Sequence, residues 1–354
     1  LERGFGGEPF LQKRFSPKVF KKITKKEKKM DISMNAAVYA VLIAFVASIV
    51  LCPMMIPSLI KLKFGQHIRE DGPKGHQKKT GTPTMGGIMI IVSFLLAALV
   101  FLRDNPEAMA VVGVTLAFGL IGFLDDFIKI VKKRNLGLRA YQKLLAQIGV
   151  SVAFVLFWRT LPSYSTAVMI PFFPEIYFDL GFLFPAFACL VFLSSSNGAN
   201  LTDGLDGLAS GVTVLIAVFF MFAAWILDSP ILPVTGAAVG SLLGFLLFNS
   251  HPAKVFMGDT GSLALGGFVA SVALILNMPL FLVIVAIVYV VESMSVIIQV
   301  GYFKLTKKRF FKMAPIHHAF ELSGWAETKV VAFFCVVTAM ACLLGYLALQ
   351  GFGG

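Results

Sequence analysis

Ten apolar runs, each close to the length of a bilayer crossing, constrain this chain more than any other feature. They lie at roughly 36–60, 84–102, 108–125, 144–160, 180–196, 207–227, 231–248, 261–278, 280–303 and 328–350. A hydrocarbon core of about 30 Å requires about 20 apolar residues per helix. Inside lipid every backbone polar group must be satisfied within its own segment, so runs of this length become helices. With 57% hydrophobic residues, the 354-residue chain is too apolar for two or three soluble domains. The expected fold is an all-α polytopic membrane protein of about ten transmembrane helices, forming a single integral-membrane domain over 30–354. Residues 1–29, with ten Lys and Arg, read as a basic leader, appended or disordered.

An even number of crossings puts both termini on one side, expected to be extracytoplasmic, and groups five loops on the other: 61–83, 126–143, 197–206, 249–260 and 304–327. In and beside these loops stand nineteen Lys and Arg, whereas the opposite loops carry only Arg103 and Arg159. The positive-inside bias makes the five loops cytoplasmic. It also accounts for the net charge of +12 through anionic lipid, without nucleic acid as a partner. Cys52, Cys189, Cys335 and Cys342 all fall inside apolar runs without a CxxC spacing, so neither a zinc site nor a disulfide framework is indicated.

The acids then fall into order. Asp125 and Asp126 close the third run in "GFLDDFIK". Asp203 and Asp206 occupy "NLTDGLDGLA", and Asp259 lies in "FMGDTGS". Each has an ordinary reading: a helix-end charge with Lys129 as the i,i+4 partner of Asp125, or an N-cap at Asp206 or Asp259. Five carboxylates on three loops at one membrane boundary, however, would repel one another unless cations neutralise them. A hard divalent ion, magnesium above all, takes carboxylate oxygens together with substrate phosphates. Gly258 and Gly261 would let backbone N–H groups approach an anion at a helix start.

Two more loops supply cations: Lys74, Lys78 and Lys79 before a Gly-Gly helix entry, and Lys312, His317 and His318 around "MAPIHHAFE". Both are also ordinary inner-leaflet anchors. Glu292, in mid-span, is functional by default or simply paired inside the bundle. GxxxxGK[ST], GxSxG and HExxH are all missing, which excludes P-loop, serine-hydrolase and zinc-protease chemistry in their usual forms. Acids for a metal, amides and lysines for phosphates, and a place at the membrane boundary together suggest phosphoryl transfer involving a lipid.

"KKTGTPTMGG", "FLDDFIK", "NLTDGLDGLA", "FMGDTGS" and "MAPIHHAFE", in this order, resemble the polyprenyl-phosphate hexosamine-1-phosphate transferases over roughly residues 36 to 350. Within them the chain is most similar to the muramyl-pentapeptide branch. The resemblance implies attack of undecaprenyl phosphate on UDP-MurNAc-pentapeptide, giving lipid I and UMP in the first membrane step of peptidoglycan synthesis. It also implies magnesium, a homodimer in the bacterial plasma membrane, a cleft open to the cytoplasm, and sensitivity to uridine-mimicking nucleoside inhibitors. By motif, Asp259 and Asn200 would hold the metal, and Asp125, with Asp126 beside it, would handle the lipid phosphate. His317 and His318 would act on phosphates. Lys79, Thr84, Lys129, Asn200, Asp203, Gly204, Leu205, Asp206, Asn249 and Phe256 would line the donor site. The family's usual third histidine is Ala319 here.

Two alternatives remain: a UDP-GlcNAc:polyprenyl-phosphate transferase, against which the "MAPIHHAFE" loop argues, and a secondary transporter. A transporter needs ionisable groups at the midplane and broken helices in related halves. Here the acids gather at one face.

Overall fold

The computed structural model describes residues 17–61, 81–132 and 137–351, with side chains from Met34 onward. Twelve α-helices are described: α1 (Pro17–Lys61), α2 (Gly87–Ala98), α3 (Pro106–Val131), α4 (Ala140–Trp158), α5 (Phe184–Thr202), α6 (Leu208–Ile226), α7 (Leu232–Asn249), α8 (Gly258–Ile275), α9 (Leu282–Val285), α10 (Ile287–Thr306), α11 (Ile316–Glu321) and α12 (Glu327–Gln350). Nine helices among the described residues are long and apolar enough to cross a membrane, and Gly87–Phe101 is a shorter apolar helix. The protein is a multi-pass membrane protein.

The helices α7 and α8 form the centre. The buried residues of α8 run almost without a break from Thr260 to Ile275. It packs mainly against α3 and α5, while α7 packs against α1 and α6. An all-round apolar helix is what an interior position in a bundle requires. By contrast α3 has two faces. Leu116, Leu120, Leu124, Phe127 and Val131 form an exposed stripe at helical spacing, suited to lipid, whereas Phe118, Ile121, Asp125 and Asp126 point inward.

Several boundaries differ from the sequence expectation, and the differences shape the site. The helix α3 continues to Val131, so Asp125 and Asp126 lie inside it rather than at its end. The outward Leu124–Phe127–Val131 stripe sustains the helical period past the two acids. The helix α8 begins at Gly258, so Asp259 sits in its first turn. The ninth run is interrupted at Ala286, where φ −104° and ψ 31° separate α9 from α10. A two-stranded antiparallel hairpin, β1 (Ala167–Ile170) and β2 (Phe173–Asp179), joins α4 to α5 and was not expected. It is tied to the far ends of α8 and α12, through Met169 N–H to the Asn277 carbonyl (2.7 Å) and Phe172 N–H to the Ala348 carbonyl (2.8 Å). Segment 62–80, with Lys74, Lys78 and Lys79, lies outside the described residues, as does 1–16 of the basic leader.

Candidate active site

At the end of the bundle opposite the hairpin, α3 and α8 meet backbone to backbone. A Cβ on Gly122 would lie 2.0 Å from the Asp259 carbonyl oxygen, so only glycine permits this approach. One turn further along α3, Asp125 and Asp126 therefore arrive beside Asp259. One carboxylate oxygen from each of the three residues lies within 4.8 Å of the other two.

Lysines hold this cluster together. Lys129 Nζ is 2.5 Å from Asp125 Oδ2, 3.6 Å from Asp126 Oδ1 and 3.0 Å from Asp259 Oδ2. Lys143, from the first turns of α4, reaches Asp259 Oδ2 at 3.0 Å and Asn200 Oδ1 at 3.5 Å. Asn200 donates through Nδ2 to Asp259 Oδ1 (2.7 Å) and to Ser262 Oγ (2.9 Å). Asp259 is thus held at both oxygens.

Asp126 has a different task. Its Oδ2 accepts from Thr260 N–H (2.9 Å) and Thr260 Oγ1–H (2.8 Å), so α3 supplies the N-terminal cap of α8. Asp259, the capping candidate within α8 itself, remains turned to the lysines. Asp125 Oδ1 accepts from Leu138 N–H at 2.8 Å, which draws the start of the α4 segment over the cluster. Gly258, at φ +68°, lies between Asp126 and Thr84: a Cβ there would be 2.7 Å from Asp126 Oδ2 and 2.8 Å from Thr84 Oγ1. Its N–H faces the Asp203 carboxylate. Burial, reinforced by Asp259 and Asp126, nevertheless holds Asp203 well above the ordinary carboxylate range.

The remaining loops close the rim. Phe256 N–H donates to the Pro83 carbonyl (2.9 Å), and Gly86 N–H donates to the Phe256 carbonyl (2.8 Å), laying the α2 entry along the α7–α8 loop. The Phe256 ring is half-buried and Leu205 is buried. Asn249 turns inward, accepting from Ser210 Oγ (2.6 Å) and donating to the Val255 carbonyl (2.9 Å), and so shapes that loop from beneath. Asp206 is not an N-cap; Gly207 occupies that position. Instead Asp206 Oδ2 accepts from Ala253 N–H (3.0 Å) and contacts His251 Nδ1 (3.1 Å), while its backbone N–H donates to Glu327 Oε1 (2.8 Å). His318 pairs with Glu321 at 2.8 Å, and His317 is buried.

Sequence reasoning missed Lys143, Thr260, Ser262, His251 and Glu327. Lys143 carried a signal: a cation in the first turn of a helix opposes the helix dipole and therefore needs a local anion. Thr260 and Ser262 look like ordinary helix-start residues until the partner from α3 is in place.

The Asp125–Asp126–Asp259 donor set is all oxygen, and an ammonium already stands among the three carboxylates. A hard divalent cation suits that spot, with Asn200 Oδ1 as an additional neutral donor.

Comparison with known proteins gives the family. The model of glycosyl transferase family 4 matches residues 108–277. The phospho-N-acetylmuramoyl-pentapeptide-transferase of Clostridium kluyveri is 50% identical over 299 residues, which cover 84% of this chain and 94% of that protein. That of Acetivibrio thermocellus is 50% identical over 303 residues, 85% of this chain and 91% of the relative. That of Caldanaerobacter subterraneus is 50% identical over 296 residues, 83% and 93% respectively.

Proposed function

We infer the function from one premise: this chain belongs to the phospho-N-acetylmuramoyl-pentapeptide transferase family. The enzyme transfers phospho-MurNAc-pentapeptide from UDP-MurNAc-pentapeptide to undecaprenyl phosphate, producing lipid I and UMP. The observation that carries this reading is the Asp125–Asp126–Asp259 cluster with its two lysines, assembled from α3, α4 and α8 at one end of a membrane bundle.

The reaction breaks the bond between the sugar-bearing phosphorus and the UMP oxygen, and forms one from that phosphorus to a lipid-phosphate oxygen. Positioning and charge neutralisation do most of the work in such displacements. A lipid phosphate, with a second pKa near 6, is already a nucleophile at neutral pH and needs orientation more than deprotonation. Asp125 is assigned that orienting role, with Lys129 sharing the charge of the incoming phosphate. Lys143 neutralises the donor diphosphate. Asp259 and Asn200 would hold magnesium, which would offset charge on the departing UMP.

Lys79, Thr84, Asp203, Gly204, Leu205, Asp206, Asn249 and Phe256 are assigned to the uridine and sugar side, with Phe256 stacking on uracil. Uridine-mimicking nucleosides would compete there. The active face is cytoplasmic and the working unit a homodimer. The transporter reading loses support because the acids gather at one end of the bundle.

UMP release measured with purified enzyme tests the proposal. It should require both undecaprenyl phosphate and magnesium, and chelation should abolish it reversibly. UMP release that is indifferent to the lipid phosphate would contradict the reading.

A further inference from the structure

Glu292 and His317 form a pair that the site as described leaves without a task. Glu292 lies on α10 and is 0% exposed; His317 opens α11 and is 1% exposed. His317 Nδ1 stands 3.1 Å from Glu292 Oε1, off the axis of a straight hydrogen bond, and neither residue's side-chain polar atoms have any other hydrogen bond among the described residues. A carboxylate left alone in such surroundings is expensive, and His317 is the polar partner that the described residues offer Glu292.

The other edge of the ring shows where this pairing leads. A Cβ on Gly204 would lie 2.1 Å from His317 Nε2 and 2.6 Å from Cε1, with no other side chain among its nearest neighbours. Gly204 belongs to the turn that carries Asp203 and Asp206, both assigned to the donor side. The imidazole is therefore wedged between a carboxylate on α10 and the backbone of the donor turn. His318 meets it edge-on, with ring centroids 4.1 Å apart and the ring planes at 60°.

We propose that Glu292 is a positioning residue for the transfer reaction: by fixing His317 against Gly204, it sets the donor turn over the acid cluster. His317 then acts through the turn's geometry, which explains why a residue in a phosphate-handling motif is so deeply buried. This inference rests on the function proposed above. It makes a claim specific to the donor, because the acceptor-orienting Asp125 lies on α3 and makes no described contact with the pair.

The test is a set of double-mutant cycles with the purified full-length enzyme, using Glu292→Gln, His317→Ala, Gly204→Ala and the pairs E292Q/H317A and G204A/H317A. Each single variant should raise the KM for the UDP donor by about tenfold or more and leave the KM for undecaprenyl phosphate within about twofold. E292Q/H317A should be no worse than H317A, since the carboxylate acts only through the ring. G204A/H317A should recover donor affinity relative to G204A, because removing the ring makes room for the new methyl group. Thermal unfolding provides a second readout that does not need the reaction: G204A should lower Tm, and H317A should relieve that loss.

Independent, multiplying effects would overturn the inference, as would equal shifts in both KM values or a G204A defect that H317A leaves in place. If the wild-type enzyme transferred no phospho-sugar, the functional reading would fall, while melting of all five variants would still decide whether Glu292, His317 and Gly204 act as one unit.

Discussion

At the scale of single residues, the site divides carboxylates of similar sequence context into different tasks. Asp126 caps α8 from outside, Asp125 holds the approach to α4, and Asp259 faces two lysines and Asn200. Asp259→Asn should lower kcat by roughly 10³-fold or more, with expression and Tm little changed, because Asn200 and both lysines can remain in place. Activity within tenfold of wild type would remove Asp259 from the reaction. Lys143→Met should cut kcat/KM by at least about 10²-fold, with the loss concentrated at the donor, measured as initial rates across donor concentrations. For Asp203 the sign follows from burial. A carboxyl held above its unfolded value stabilises the fold when protonated, and that contribution is lost as pH rises past the ordinary carboxylate range. Asp203→Asn should therefore raise Tm at pH 7.5, measured without divalent ions, and the gain should vanish as the pH approaches about 4. A Tm lowered at both pH values would show that the ionised carboxylate is the stabilising form.

At the scale of elements, close approach of helices decides what the site can be. Gly122→Ala would place a methyl group 2.0 Å from the Asp259 carbonyl, forcing α3 and α8 apart. Overpacking of this kind costs about 1–3 kcal/mol, so both Tm and kcat should fall. A variant with full activity would mean that the two helices need not touch. The nine long apolar spans among the described residues were legible because periodicity and length are carried by the residues themselves. The end of α3 was not, since "DDFIK" reads as a boundary until Leu124, Phe127 and Val131 are seen to continue the lipid-facing stripe. Nor was the break at Ala286, which has no proline or glycine beside it. The hairpin after α4 was hidden for another reason: its second strand is mostly exposed, so "FPEIYFD" shows no clean alternation.

At the scale of the whole molecule, five segments far apart in sequence meet at one end, and that convergence was partly legible. The acids could be grouped by counting crossings, and the five motifs by their resemblance to a transferase family. The pairings themselves could not: which lysine meets which acid, or which histidine is buried, depends on contacts between helices. Sidedness can be tested directly. In a cysteine-free background, a cysteine at Lys307 should resist impermeant thiol reagents in intact cells, and one at Asp104 should react. The reverse pattern would turn the active face outward. The central claim, however, is the identity of the donor. It is best tested by radiolabelled transfer to undecaprenyl phosphate with magnesium, comparing UDP-MurNAc-pentapeptide and UDP-GlcNAc side by side. The muramyl donor should yield lipid I with a kcat/KM at least roughly 10³-fold higher, a margin of about 4 kcal/mol. Comparable transfer from UDP-GlcNAc would contradict the account.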